Sequence, residues 1–300
     1  MSNASQHRSR NQADVRDFLM SRRARITPDQ AGLLTFGPRR VPGLRREEVA
    51  RLAGISTDWY TRLEKGYIGE VSEDVLRAVA RVLRLNDEER IYLLDLARAA
   101  RRARRPSRTT QEFSPSVQWL LDSMTLSAAM VSDSRQDVLA TNALGRALYA
   151  PLFTSDTTLE RGRANLARYH FLDHSARDFY GDWNATADVL TASLRTEAGR
   201  DPHDVEARDL ADELIAASPD FRTRWNSHDV LIHAQGVKTF HHPEVGELSL
   251  TYRSVDLPVV AEEIMSLCVC TAEPGSTAED QVKLLTSWAA SSRTPLDAND

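Results

Sequence analysis

Apolar side chains return at helical spacing twice between Arg45 and Lys65, and a single glycine separates the two runs. Before Gly54, the residues Val49, Leu52 and Ala53 fall on one side of a helix, while Arg45, Arg46, Glu47, Glu48 and Arg51 point elsewhere. Gly54 supplies a backbone without a Cβ penalty after the last turn, and Ser56 is the N-cap of a second helix carrying Tyr60 and Leu63 inward. The chain turns, caps and restarts within about three residues, which is the pattern of a helix-turn-helix. Three further runs flank it. Val15, Phe18 and Leu19 predict a helix over Asp14 to Arg25, ended near Thr27-Pro28. Another begins at Ser72 or Glu73 with Val75, Val79 and Leu83 inward, and a last one begins at Asp87 with Ile91, Leu94 and Leu96 among its apolar positions. Asn86 caps that helix ahead of Asp87, Glu88 and Glu89, acids where the helix dipole favours them. Residues 29–43 hold Gly32, Gly37, Pro38, Pro42 and Gly43 and form a loop. About five helices thus make a small all-α bundle.

The pattern changes in the second half. Val117, Leu120 and Leu121 mark a short helix; Ala128 to Asp133 and Val138 to Asn142, joined by the polar turn Ser134 to Asp137, read as a β-hairpin. Ala143 to Tyr149 is helical, and so is a long stretch from Ser175 to Ala217 with breaks at Gly181 and from Gly199 to Pro202. Ser218-Pro219 opens another helix with Phe221 and Trp225. Strand-like runs follow at Val237–Phe240, Gly246–Tyr252 and Ile264–Thr271, the middle one alternating, then a helix from Thr277 to Trp288. The expected organisation is a disordered start over 1–13, a helix-turn-helix domain over 14–100, an arginine-rich linker over 101–114, an α+β domain with an antiparallel sheet and helical insertions over 115–288, and a disordered tail over 289–300.

Charge separates the same two halves. The chain carries a net −5, but residues 1–110 hold 23 Lys and Arg against 14 Asp and Glu, near +9, leaving 15 basic and 29 acidic residues beyond, near −14. A basic half can displace counterions from phosphates; an acidic one of that size is repelled by them. The second half therefore has a different task. No apolar stretch approaches the roughly 20 residues that span a bilayer, and the first residues lack the apolar core of a secretion signal, so a cytoplasmic protein without membrane contact is expected.

From Pro42 to Ser56 the chain reads Pro-Gly-Leu-Arg-Arg-Glu-Glu-Val-Ala-Arg-Leu-Ala-Gly-Ile-Ser, followed by Trp59-Tyr60 and Leu63-Glu64-Lys65-Gly66. This run resembles the helix-turn-helix of the XRE family of phage-repressor-like regulators, and more closely its MmyB-like branch. In the second half Asp182-Trp183, Phe221-Arg222, Trp225, His228-Asp229-Val230, the run His242 to Leu248 and the run Thr271 to Ser276 resemble the MmyB-like ligand-binding domain. The order strand, turn, strand, Asn142, helix resembles the opening of a PAS-like sensor. The resemblance covers about residues 14 to 288. It implies a PAS-like sheet wrapped by helices, with an apolar pocket for a fatty-acid-like molecule, and a buried pairing of Glu64 with an arginine of the first helix, here Arg22, Arg23 or Arg25.

The outward residues of the second paired helix are the expected readers of a double-stranded DNA operator: Ser56, Thr57, Asp58, Trp59, Thr61, Arg62 and Lys65. Arg62 suits a guanine and Thr57 a thymine methyl; Asp58 suits a cytosine or, equally, the helix dipole; Trp59 favours packing on the next helix. Arg45 and Arg46 are placed to touch phosphate, and Arg101, Arg102, Arg104 and Arg105 are either phosphate contacts or simply solvated. In the second half Tyr169, Phe171, Trp183, Phe221, Trp225 and Tyr252 fill a core or line a pocket; the resemblance favours a pocket, to which Met130, Asn142 and His228 are added as lining candidates.

Neither metal nor catalysis is expected. Pro243 interrupts the His241, His242 and Glu244 group, and Ser227, His228 and Asp229 are neighbours that do not face one another as a hydrolytic triad must. Cys268 and Cys270 share one strand face, a poor geometry for a disulfide, and read as buried thiols. The expected protein is a transcriptional repressor, binding a palindromic operator as a homodimer and sensing a small apolar ligand, with no cofactor. A ligand-free dimerisation or protein-interaction module is the other reading of the second half.

Overall fold

The structure is a computed structural model, and it describes residues 3–33, 39, 41–101, 114–201, 204–231, 235–258 and 264–291. Apart from Arg101 and Ser114 the expected linker lies outside these residues, as does the tail from 292. The chain divides into two compact units, the first made of Met1–Ser107, Arg195–Arg208 and Arg224–Ile232, the second of Arg108–Leu194, Asp209–Thr223 and His233–Asp300.

The first unit is built on α1 (Asn3–Arg25), α2 (Arg46–Ala53), α3 (Thr57–Glu64), α4 (Glu73–Val82) and α5 (Asp87–Arg101). Helix α1 begins at Asn3, well ahead of the expected start at Asp14. The polar residues there are not idle: the Asn11 side-chain amide is buried and donates to the Leu96 carbonyl of α5 at 3.3 Å. Val15, Phe18, Leu19, Leu44, Val49, Tyr60, Leu63, Leu76, Val79, Tyr92 and Leu96 make the shared core. Two apolar residues take the opposite side from a simple helical reading. Leu52 is 40% exposed while Ala50 is buried, and Ile91 is exposed while Tyr92 and Leu93 are buried. In short helices one residue of rotation decides which neighbour meets the core.

The turn between α2 and α3 forms as its residues dictate. Gly54 takes φ 72°, its N–H bonding the last carbonyls of α2, and Ser56 Oγ accepts the Trp59 N–H at 3.1 Å. Gly66, which follows α3, sits at φ 96°, and a Cβ there would lie 2.5 Å from the Gln12 backbone. The Lys-Gly pair ending the motif is thus where α1 presses against the turn after α3.

Two later segments complete this unit. Val230 enters its core. The Arg22 guanidinium, almost wholly buried, bonds Glu89 at 2.7 Å and donates to the His228 carbonyl at 2.6 Å, while Arg25 donates to Asp229 at 2.8 Å. Asp14 pairs with Arg208 at 3.3 Å and Asp95 with Arg200 at 3.5 Å. Arg195 donates to the Trp225 carbonyl and lies over its ring at 4.0 Å.

The second unit is a five-stranded antiparallel sheet in the order β2-β1-β5-β4-β3, with β1 (Ser127–Ser132), β2 (Val138–Thr141), β3 (Gln235–His242), β4 (Gly246–Pro258) and β5 (Ile264–Thr271). The expected hairpin and the three late strands are all present. One face packs on α6 (Pro115–Ser123) through Leu121, Ala129, Val131, Met265 and Leu267. The other carries Ala128, Met130, Phe240, Leu248, Leu250, Tyr252 and Cys270 beneath the helical insertions. These are α7 (Ala143–Leu148), α8 (Ala150–Thr154), α9 (Asp156–Leu159), α10 (Leu166–Leu172), α11 (Ser175–Phe179), α12 (Trp183–Arg200), α13 (Val205–Ala217), α14 (Pro219–Trp225) and the closing α15 (Thr277–Ser291). The last residues of α12, the first of α13 and the end of α14 belong to the first unit.

Replacing Gly66 by alanine should lower the stability of the helical unit by about 2 kcal/mol or more, because strain and collision add. Gly54→Ala, equally left-handed but with nothing within 4 Å of the new Cβ, should cost only about 1 kcal/mol. Thermal melts of both variants check the difference; equal losses would remove the α1 contact from the account.

Candidate nucleic-acid interface and sensor face

Helix α3 is held from beneath by one carboxylate. Glu64 has a side chain 1% exposed, and both its oxygens accept from the Arg23 guanidinium, at 2.8 and 3.0 Å. Arg46 of α2 adds two contacts at 3.2 Å to one of those oxygens, and Arg23 also donates to the Leu44 carbonyl at 2.7 Å. Of the three arginines expected to supply the pairing, Arg23 does so; Arg22 and Arg25 go to the Asp229 segment instead. Arg46 is half exposed but tied to Glu64, so its expected contact with phosphate competes with a structural one. Arg45 is exposed at the start of α2, paired only with exposed Glu47 at 3.4 Å.

The opposite side of α3 is free. Ser56, Thr57, Asp58, Arg62 and Lys65 are exposed and Thr61 half-buried. Arg62 makes no side-chain hydrogen bond or ion pair among the described residues, which leaves its five donors for another molecule. Trp59 packs against the bundle core, the favoured of its two expected roles. Arg51, unassigned by sequence reasoning, is exposed at the end of α2 with no partner among the described residues. Arg101 is not a solvated charge, for it donates to the Gly69 and Val71 carbonyls at 2.7 and 2.5 Å.

Arg39, also unassigned, clamps the loop onto α2 through two bonds of 2.8 Å to Glu48, which in turn accepts the Arg45 N–H at 2.6 Å. The Arg39 hydrogen bonds, helped by that N–H, bring the Glu48 carboxyl down to about 2. Only its charge pattern, a lone arginine pair in a loop ahead of Glu47-Glu48, hinted at this.

The predicted lining residues do not all come together. Phe171, Trp183 and Phe221 come together: Phe171 meets Trp183 at 5.8 Å and Phe221 at 5.0 Å, and buried His170 stacks on Trp183 at 4.6 Å, whereas Tyr169 meets Phe179 at 6.2 Å and Tyr180 at 6.3 Å. Met130 and Tyr252 lie on the covered sheet face in register with Cys268 and Cys270, respectively. Asn142 is consumed structurally. It accepts the Gly145 and Ala129 N–H groups at 2.7 and 3.1 Å and donates to the Met124 and Ser127 carbonyls at 2.7 and 2.8 Å, tying α6, β1 and α7. Trp225 and His228 belong to the first unit and are not brought to this sheet face.

Sequence reasoning missed Lys238, Tyr149 and Tyr180. The Lys238 ammonium lies 4.7 Å from the Tyr252 ring centroid and 5.8 Å from that of Tyr180. It has no carboxylate partner among the described residues. A lone lysine in an alternating strand is ordinarily a solvent-facing position, so nothing local marked it.

The histidines of the supposed metal group are engaged with backbone: His241 Nδ1 with the Asp178 carbonyl at 2.9 Å, His242 Nε2 with the Ala147 carbonyl at 3.0 Å. Ser227 bonds Asp229 directly at 2.7 Å, with no imidazole between them. Among the described residues no three metal-ligand side chains gather, and no helix is long and apolar enough to cross a membrane.

A helix-turn-helix whose second helix exposes a polar face, in one chain with a sheet domain of aromatic interior, is the architecture of a two-domain helix-turn-helix transcription regulator. Family comparison bears on each domain: residues 8–93 match a helix-turn-helix domain, and residues 113–285 match the MmyB-like transcription regulator ligand binding domain. The second match spans more than half of the chain, which belongs to that MmyB-like family. No curated protein matches it. Both domains are regulatory in kind.

Glu64→Ala should destabilise the protein by about 3 kcal/mol, since it strands the Arg23 charge beside the core. Chemical denaturation measures it, and a loss below 1 kcal/mol would deny Glu64 its role.

A pH effect follows from His228. Burial, with repulsion from Arg195, brings its imidazole down to about 4 from the ordinary 6.5. The unfolded chain then binds the proton first, so stability is complete above about 6.5 and declines as pH falls towards 4. His228→Asn, a residue that tolerates the native φ of 56°, should flatten the decline between pH 6.5 and 5 in thermal melts. An unchanged slope would assign it to other groups.

Proposed function

We propose that this regulator is a cytoplasmic repressor that binds a palindromic operator as a homodimer and responds to a small apolar, fatty-acid-like ligand. The carrying observation is the exposed polar face of α3, centred on an Arg62 without a side-chain partner among the described residues, in the part of the chain with charge near +9. Each protomer presents α3 to a major groove, and two-fold symmetry sets half-sites about 34 Å apart. Arg62 takes a guanine bidentately, Thr57 and Asp58 contact neighbouring bases, and Arg45 and Arg51 hold phosphates.

The ligand reading is supported by the family of the second domain and by the aromatic group of Phe171, Trp183 and Phe221. Helix α12 carries Trp183 near its start and Arg195 and Arg200 near its end. Both arginines belong to the compact unit that holds the helix-turn-helix. A ligand that prefers one packing around Trp183 has in α12 a continuous covalent route to the DNA-binding unit, and it shifts DNA binding by its preference between the two arrangements.

Selection of operator sequences from a random pool, followed by titration at several salt concentrations, tests the DNA reading. Arg62→Ala should relax the preference at one base position in each half-site by about 1–3 kcal/mol. Arg45→Ala should weaken all sequences alike and reduce the salt slope by about one. Normal specific binding by Arg62→Ala would move recognition off α3. Native mass spectrometry of the same preparation, with organic extraction, reports the dimer and any lipid-like mass; a dimer that neither carries nor accepts one would turn the second domain into a dimerisation module.

A further inference from the structure

The run Ser227-His228-Asp229-Val230 lies inside the part of the chain that matches the ligand-binding domain, residues 113–285, yet it folds into the compact unit of the helix-turn-helix. Val230 is buried in the helical core. His228 takes a left-handed φ of 56°, uncommon for a residue with a Cβ, and at that turn two carbonyls meet the last turn of α1. Arg25 donates to the Ser227 carbonyl at 3.0 Å and Arg22 to the His228 carbonyl at 2.6 Å. The Asp229 carboxylate uses both oxygens: Oδ1 accepts from Arg25 at 2.8 Å and from Arg22 at 3.4 Å, while Oδ2 accepts the Ser227 hydroxyl at 2.7 Å. The end of α12 holds the same segment, for Arg195 donates to the Trp225 carbonyl and Thr196 Oγ1 accepts the Leu231 N–H at 3.1 Å.

The last turn of α1 is also what holds α3. Arg23 meets Glu64 with two bonds and donates to the Leu44 carbonyl, and its own carbonyl accepts the Leu44 N–H at 3.2 Å. Gly43 presses on the same turn, since a Cβ there would fall 2.5 Å from the Arg23 carbonyl oxygen. Three arginines of one turn thus divide between two tasks: Arg22 and Arg25 fasten the segment at 227–230, and Arg23 fastens α3. A helix end frays where its last groups lack partners. Removing the Asp229 carboxylate leaves the half-exposed Arg25 with the Ser227 carbonyl alone among the described residues, and fraying there loosens the turn that carries Arg23.

We propose that residues 227–230 are a latch, supplied by the sequence of the ligand-binding domain, that sets the placement of the DNA-reading helix, and that Asp229 is its positioning residue. A carboxylate has no attraction for phosphate, so Asp229 acts on DNA binding indirectly, through Arg22 and Arg25 to the last turn of α1 and through Arg23 and Glu64 to α3. Because α12 holds the latch at Trp225 and Leu231, a shift of α12 reaches α3 along these bonds. The latch rests on the reading of α3 as the helix that meets DNA, and it adds the means by which that helix is regulated.

The test compares the full-length protein with Asp229→Ala and Asp229→Asn, titrated with the selected operator and with random-sequence duplex, well below the melting temperature of each. Both substitutions remove one negative charge, so a change in the protein's field strengthens binding to all DNA alike in both. Only asparagine keeps an oxygen for the arginines and an amide that can face Ser227 Oγ. Asp229→Ala should therefore lose about tenfold in operator-to-random preference, while Asp229→Asn stays within about twofold of the wild type. Amide exchange of α3 should speed up in the alanine variant alone. An unchanged preference in Asp229→Ala would make the latch a purely structural contact, and an equal fall in both variants would assign the effect to charge; either overturns the proposal. Failure of the DNA reading looks different, because the wild-type protein itself would then select no operator. Faster α3 exchange in Asp229→Ala would in that case still uphold the mechanical link, and unchanged exchange would overturn it too.

Discussion

A carboxylate that cannot reach water fixes the DNA-binding domain. Glu64 lies at the end of α3, and its charge is affordable only because Arg23 of α1 meets it with two bonds and Arg46 of α2 adds more. The arrangement joins the helix that faces outward to the two that face the core, at the one end of α3 where nothing else is directional. Tyr60 and Leu63 supply the apolar attachment, but apolar contact alone would let so short a helix rotate or slide. The ion pair sets its roll, and the roll decides that Thr57, Asp58 and Arg62, rather than their neighbours, stand outward. The exposed face of α3 is in this sense set from beneath the helix.

The sheet domain solves the same problem without charge. Asn142 spends every hydrogen-bonding atom on backbone groups of α6, β1 and α7, where the chain leaves the sheet for its helical insertions. Its position after the hairpin invited a ligand role; its surroundings leave it none. Glu64 and Asn142 share a logic: a buried polar group whose partners come from more than one element specifies their mutual placement more sharply than packing does.

How much of this could be read from the chain depended on whether the cause was local. The turn at Gly54, the cap at Ser56, the hairpin and the three late strands follow from residues within a few positions of one another, and they form where the pattern placed them. The Glu64 pairing was legible only through the family pattern, and the choice of Arg23 over Arg22 and Arg25 was not legible at all. That choice depends on Asp229, over two hundred residues away, which takes Arg25 and shares Arg22. The start of α1 at Asn3 escaped for the same reason, because Asn11 is polar in sequence yet satisfied by a carbonyl of α5. Aromatic residues were recognised as an interior, but their division between Trp225 in one unit and Trp183 in the other is a property of the fold.

The strand that carries Cys268 and Cys270 shows where alternation carries information and where it stops. Period two correctly placed both sulfurs on one face, and the same geometry argues against a disulfide between them. Alternation could not show that β1 and β4 would flank them differently, with Tyr252 beside Cys270 and Ser254 beside Cys268, or that Lys238 would reach over from β3. Those neighbours make two equivalent positions unlike: Cys270 is buried with the Tyr149 hydroxyl 4.0 Å from its sulfur, while Cys268 is only half-buried. Two positions that read alike along their own strand are thus made unlike, and the asymmetry comes entirely from the strands and helix packed around them.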